Sequence, residues 1–114
     1  MKAYRTINLE ENMPAARDAA ARLTTEIRLA KRHGIRLVKC IHGFGSTGRG
    51  GKIRLAARRE LESLQMRGYV KAIIPGEKLS IFDEDTRQAM AYYGELRGDP
   101  DLDRHNNGIT LVVL

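Results

Sequence analysis

Between Tyr4 and Leu9 the apolar positions alternate, Ile7 and Leu9 against Asn8 and Glu10, which predicts a short half-buried strand. The period then changes. Ala16, Ala19, Ala20, Leu23, Ile27 and Ala30 recur at helical spacing, predicting a helix that runs to His33. Asn12 reads as its N-cap, Pro14 falls in its first turn, and Gly34 supplies the stop. Ile35 to Ile41 returns to strand. A second helix is expected from about Gly51 to Met66, with Ile53, Ala57, Leu61 and Leu64 on its apolar stripe and Gly68 closing it. Tyr69 to Ile74 is a third strand ended by Pro75-Gly76, and Ile109 to Leu114 reads as a strand covered on both faces. Between these two, Asp83 can cap a further helix running to about Leu96. The order β-α-β-α-β-(inserted α)-β predicts one α/β domain over residues 1–114, a two-layer sandwich on a four-stranded mixed sheet, with 75–107 as the insert.

Charge changes this picture more than composition does. At 42% hydrophobic and 30% charged residues, the chain has the balance of a globular domain and not of a disordered one. The net charge of +6 is unevenly spread: the basic residues concentrate in 28–72, whereas 73–114 is acidic. The cations therefore bracket one stretch, Ile41 to Arg54, IHGFGSTGRGGKIR, which holds five glycines. That pairing points to a polyanion with phosphates near the loop. Cys40 stands alone, so no disulfide forms within the chain, and its apolar neighbours predict a buried thiol. MKAYRTINL lacks an apolar signal core and no stretch reaches membrane-spanning length, so the expectation is a cytoplasmic protein with no membrane partner.

Three kinds of glycine loop fit the stretch to different degrees. Gly51-Lys52 resembles the end of a nucleotide-binding Walker loop, but Ser46 stands where the first glycine belongs and Ile53 where the hydroxyl belongs. Gly43-Phe44-Gly45-Ser46-Thr47-Gly48 spells a dinucleotide fingerprint, yet the next strand ends Ile73-Ile74-Pro75 without the acid that binds a ribose. The third kind presents backbone amides and a helix start to nucleic-acid phosphates. Gly43, Gly45, Ser46, Thr47 and Gly48 would supply the cradle, and Arg49, Lys52, Arg54 and Arg58, with Arg59 beyond, the charge.

His42-Gly43-x-Gly45 after a strand, the basic helix carrying Ile53-Arg54, and the closing Gly108-x-Thr110-x-Val112-x-Leu114 together resemble the Smr (small MutS-related) domain, in order along nearly the whole chain. The resemblance implies a compact α/β sandwich that binds DNA or RNA, in a family that includes nicking and RNA endonucleases. Two departures stand out. The family's first strand usually ends L-D-x-H, whose aspartate and histidine are implicated in cleavage; here the run is Ile7-Asn8-Leu9-Glu10. Typical members also lack the long segment between the last two strands.

Cleavage of a phosphodiester needs a proton acceptor and help for the leaving oxygen. His42 is the candidate acid or base, Glu10 its partner, and Lys52 or Arg54 the charge on phosphorus. The primary expectation is phosphate binding without efficient turnover; an endonuclease using His42 with Glu10, and Mg²⁺ or Mn²⁺ if it is a nuclease, is the alternative. No cofactor is otherwise expected. Asp99, Asp101 and Asp103 alternate like a calcium loop, but Arg104 and Thr110 occupy its glycine and closing-acid positions. The two later aspartates are expected to take backbone hydrogen bonds or to pair with Arg97 and Arg104. The acidic insert, with adjacent Tyr92 and Tyr93, offers a further alternative: a protein-interaction surface or a lid over the basic cleft.

Overall fold

The computed structural model describes residues 4–44 and 48–114, the backbone alone for 48–50. Its strands are β1 (Tyr4–Asn8), β2 (Leu37–Ile41), β3 (Ala72–Pro75) and β4 (Ile109–Val113), and its α-helices are α1 (Ala16–Arg32), α2 (Gly48–Met66) and α3 (Glu84–Tyr92). Short 3₁₀ turns at Gly76–Lys78 and Gly94–Gly98 flank α3. The sheet order is β1-β2-β4-β3, with β1 parallel to β2 and β4 antiparallel to both β2 and β3. The expected four-stranded mixed sheet is present.

Alternation divides the sheet between two cores. Ile7, Val38, Cys40 and Val112 face α1 and α2, where they join Leu23, Ile27, Ile53, Leu61 and Leu64. Leu37, Ile74, Ile109 and Leu111 face the insert and meet Leu79, Ala89 and Leu96. The segment after β3 thus covers the face that a minimal sandwich would leave open. This is why the central strands β2 and β4 read as apolar runs. Burial pushes the Cys40 thiol up to about 12, with the Arg58 charge opposing, so it is a packed, protonated group.

Two strand boundaries differ from the periodic reading for one reason. Gly34 (φ 77°) and Gly68 (φ 85°) each end a helix in a Schellman motif. The Ile35 amide donates to Ala30 and the Tyr69 amide to Leu64, both at 2.9 Å. Those residues belong to helix ends, so β2 starts at Leu37 and not Ile35, and β3 at Ala72 and not Tyr69. At the other end of α1, Asn12 does not cap. It sits at φ 63° in a turn closed by the Met13 amide on the Glu10 carbonyl, 2.7 Å, and the helix starts after Ala15 with no side-chain cap. Pro14 therefore precedes the helix. Asp83 does cap α3, accepting from the Thr86 amide at 3.0 Å, but α3 stops at Tyr92. The 3₁₀ turn from Gly94 then buries Leu96. α2 starts at Gly48, a turn earlier than expected.

Two points fasten the insert to the sheet. At the first, Lys39 on β2 reaches Asp99 at 2.7 Å and Asp101 at 2.5 Å, and the Tyr4 hydroxyl donates to Asp99. Lys39, and neither Arg97 nor Arg104, is thus the cation that pairs with Asp101. Burial raises the Asp101 carboxyl, but hydrogen bonds from Asn106 and Lys39 and the Lys39 charge outweigh it and hold the group below its usual range. Burial, then Asp99, pushes the Tyr4 phenol well above its ordinary value. At the second point, the chain after β3 crosses the turn before β4 at Gly76, where an added Cβ would lie 1.8 Å from the Asn106 carbonyl oxygen. Gly76→Ala is expected to destabilise the protein by about 2–3 kcal/mol, read from the urea midpoint, because backbone and not a pliable side chain occupies that space.

Candidate functional site

His42 directly follows β2, two residues after Cys40. Its ring is fully buried. Nδ1 lies 3.0 Å from the Gly43 carbonyl oxygen and Nε2 lies 2.8 Å from the Thr110 hydroxyl. A carbonyl only accepts, so Nδ1 carries the proton, and Nε2 accepts from the hydroxyl. Desolvation drives the imidazole down to about 4, reinforced by the Arg58 and Arg54 charges and opposed by the Gly43 hydrogen bond. At neutral pH the ring is neutral and both nitrogens are engaged.

Thr110 links this histidine to α2. Its hydroxyl oxygen accepts from Arg58 Nε at 3.2 Å, and the Arg58 fork grips Glu77 through two bonds of 2.9 and 2.7 Å. The resulting chain, Gly43–His42–Thr110–Arg58–Glu77, joins β2, β4, α2 and the start of the insert. Arg58 holds the Glu77 carboxyl below its ordinary value, against the effect of partial burial. The Gly108 carbonyl accepts from both the His42 and Gly43 amides, at 3.0 and 2.9 Å, and fixes the first residues of the loop.

Glu10 arrives from the end of β1. Its carboxylate lies over Gly43, so close that a Cβ there would fall 2.4 Å from Oε2. Glu10 and Gly43 are therefore neighbours, while Glu10 is a partner of neither His42 nitrogen. Asn8 is exposed, and its side chain accepts from the Glu10 amide at 2.9 Å. Of the residues named for phosphate contact, Gly45, Ser46 and Thr47 lie outside the described residues, and Gly48 and Arg49 stand in the first turn of α2. Lys52 is exposed and Arg54 half-buried beyond them. Arg58 sits on the same flank as Arg54 but is engaged by Glu77. Phe44, just before the loop, is 60% exposed.

No family model, curated protein or solved structure matches this chain. Among the described residues no group of three or more His, Cys, Asp or Glu side chains gathers to hold a metal ion, and no helix is long and apolar enough to cross a membrane. Asp99 and Asp101 are taken up by Lys39, so the calcium-like alternation serves packing.

Two members of the network escaped sequence reasoning as functional residues. Thr110 had a signal, a hydroxyl in an otherwise apolar strand opposite Cys40. Glu77 had none: 19 positions separate it from Arg58, and only the return of the chain over the sheet brings them together. On the insert, Tyr93 packs against the second core whereas Tyr92 is 82% exposed, beside a groove of about 360 Å³ between α3 and the β3 edge.

Proposed function

We propose that this protein binds nucleic acid, seating backbone phosphates at the start of α2 among the glycine loop, Lys52 and Arg54. One observation carries the reading. A helix N-terminus bears roughly half a positive charge and is ordinarily balanced by acidic side chains. Asp18 does this for α1, and Glu84 and Asp85 for α3. The first turn of α2 has no acidic residue, and cations follow it instead. Positive charge added to a positive helix end is unfavourable unless an anion from outside meets it. The sequence resemblance to the Smr domain supports the same assignment, since His42-Gly43 and Gly108-x-Thr110 form one hydrogen-bonded unit.

Within this reading His42 is a positioning residue. It holds the Gly43 carbonyl and, through Thr110, the Nε–H of the Arg58 guanidinium. Arg58 is poised and occupied: the Glu77 carboxylate binds it bidentately, as a phosphodiester would. Phosphate reaching Arg58 has to displace Glu77.

Phosphodiester cleavage is the second reading, favoured by the Glu10 carboxylate lying against Gly43, the first glycine of the run. Binding and cleavage separate in one set of assays with labelled single-stranded RNA, duplex RNA and duplex DNA. Affinity is expected to fall steeply as salt rises, and Arg54→Ala to weaken binding roughly tenfold with a shallower salt slope. Affinity indifferent to both would count against the phosphate seat. Cleavage with Mg²⁺ or Mn²⁺ that disappears in Glu10→Gln would establish the second reading.

A further inference from the structure

A second concentration of positive charge lies at the far end of the helical layer. Around the Tyr69 ring stand Arg28 at 5.3 Å, Lys31 at 6.0 Å and Arg67 at 6.0 Å from the ring centre. Lys31 also donates to the Gly68 and Tyr69 carbonyls, 3.3 and 3.2 Å, so the C-terminal end of α2 fixes it in place. Among the described residues, Arg67 is the one of these three cations paired with a carboxylate, Glu60 at 3.5 Å, and Glu60 also receives the Thr24 hydroxyl. Two shallow hollows of about 330 and 260 Å³ meet here, both lined by Arg28 and Arg32, which are exposed. Like charges held this close repel one another, and an anion seated among them relieves that repulsion.

This patch is connected to the loop. α2 has 19 residues, about 28 Å from end to end. Lys52 and Arg59 are exposed on it, Arg67 follows its last turn, and spacings of seven and eight residues keep the three along one side. A cationic line thus runs from the phosphate seat to the Tyr69 patch.

We propose that the Tyr69 patch, with Arg28 and Arg32 as its outer cations, is a second backbone contact for the same nucleic acid, which lies along α2. The inference rests on the binding reading above. At about 3.4 Å per nucleotide of a duplex strand, the two contacts are roughly eight nucleotides apart. A short oligonucleotide reaches one of them, and a long one spans both.

The test is binding of labelled duplexes of about 6 and about 20 base pairs over a salt series, with the wild type, Arg54→Ala and the pair Arg28→Glu with Arg32→Glu. The same charge change on the insert, Arg87→Glu with Arg97→Glu, is the control, and Arg28→Gln with Arg32→Gln serves if reversal lowers the melting temperature. The long duplex is expected to lose at least about tenfold in affinity to the patch variants, with a salt slope reduced by one to two phosphate contacts. The short duplex, seated at the loop, keeps its affinity for them and loses it only in Arg54→Ala. If the patch variants lose no more on the long duplex than the control does, or lose equally on both lengths, the second contact is wrong while the loop reading stands. If the wild type binds neither duplex, nor single strands of either length, both readings fall together.

Discussion

Lys39→Met is expected to remove about 3–5 kcal/mol of stability, because it strands the buried Asp99 carboxylate and the partly exposed Asp101 carboxylate, whose ion pairs among the described residues are both with Lys39. Lys39 and Asp99 side chains are 8% and 4% exposed, and Asp99 also carries the Tyr4 hydroxyl. The loss is a large share of what a domain of this size possesses. Urea denaturation gives the size of the effect, and hydrogen exchange gives its place: amides of 76–107 should lose protection before those of α1 and α2. Adding Asp99→Asn and Asp101→Asn to Lys39→Met should recover much of the loss, since the cost comes from the unpaired charge and less from the missing bonds. A single-mutant cost under about 1 kcal/mol would mean that apolar packing of Leu79, Ala89 and Leu96 holds the insert without the ion pairs.

The second large effect is acid sensitivity originating at His42. Its folded value of about 4 lies below the ordinary 6.5, so between those values the unfolded chain binds a proton that the folded protein refuses. Stability therefore falls as pH drops from about 6.5 towards 4, by up to about 3 kcal/mol, and this contribution levels off below 4. Asp101 and Glu77 act at lower pH: with their carboxyls held below the usual range, the stability they add above it is lost as pH falls through their folded values. Denaturant midpoints from pH 7 to pH 4.5 should slope for the wild type and be nearly flat for His42→Gln. Equal slopes would show that the imidazole is not the group that titrates. In binding assays the same neutral ring means that affinity near pH 7 should not follow an imidazole titration, whereas a histidine that touched phosphate directly as a cation would make binding strengthen below pH 6.5.

Much of the architecture was legible in the order of residues because its causes are local. Period-two and helical spacing of apolar residues marks which face each element must bury, and both glycine stops lie where a left-handed residue is needed to end a helix. The misplaced strand starts came from backbone bonds that close the preceding helix. Ile35 and Tyr69 look like strand residues by composition, but their amides complete the helix before them. The glycine run and the cations around it were legible too, since charge and glycine density need no coordinates.

The sequence by itself determined the α/β order, the apolar faces, the buried cysteine and the cationic bracket around the glycine run. Only the tertiary structure decided where the insert goes, which is over the sheet face opposite α1 and α2, and what its acids do. Asp99 and Asp101 reach Lys39 across some 60 residues of chain, and Glu77 reaches Arg58. It also decided the state of His42, whose neighbours Thr110, Arg58 and Gly108 come from distant parts of the chain. Spacing patterns report contacts within an element; a pKa or an ion pair depends on distance and burial in three dimensions, which no local pattern encodes.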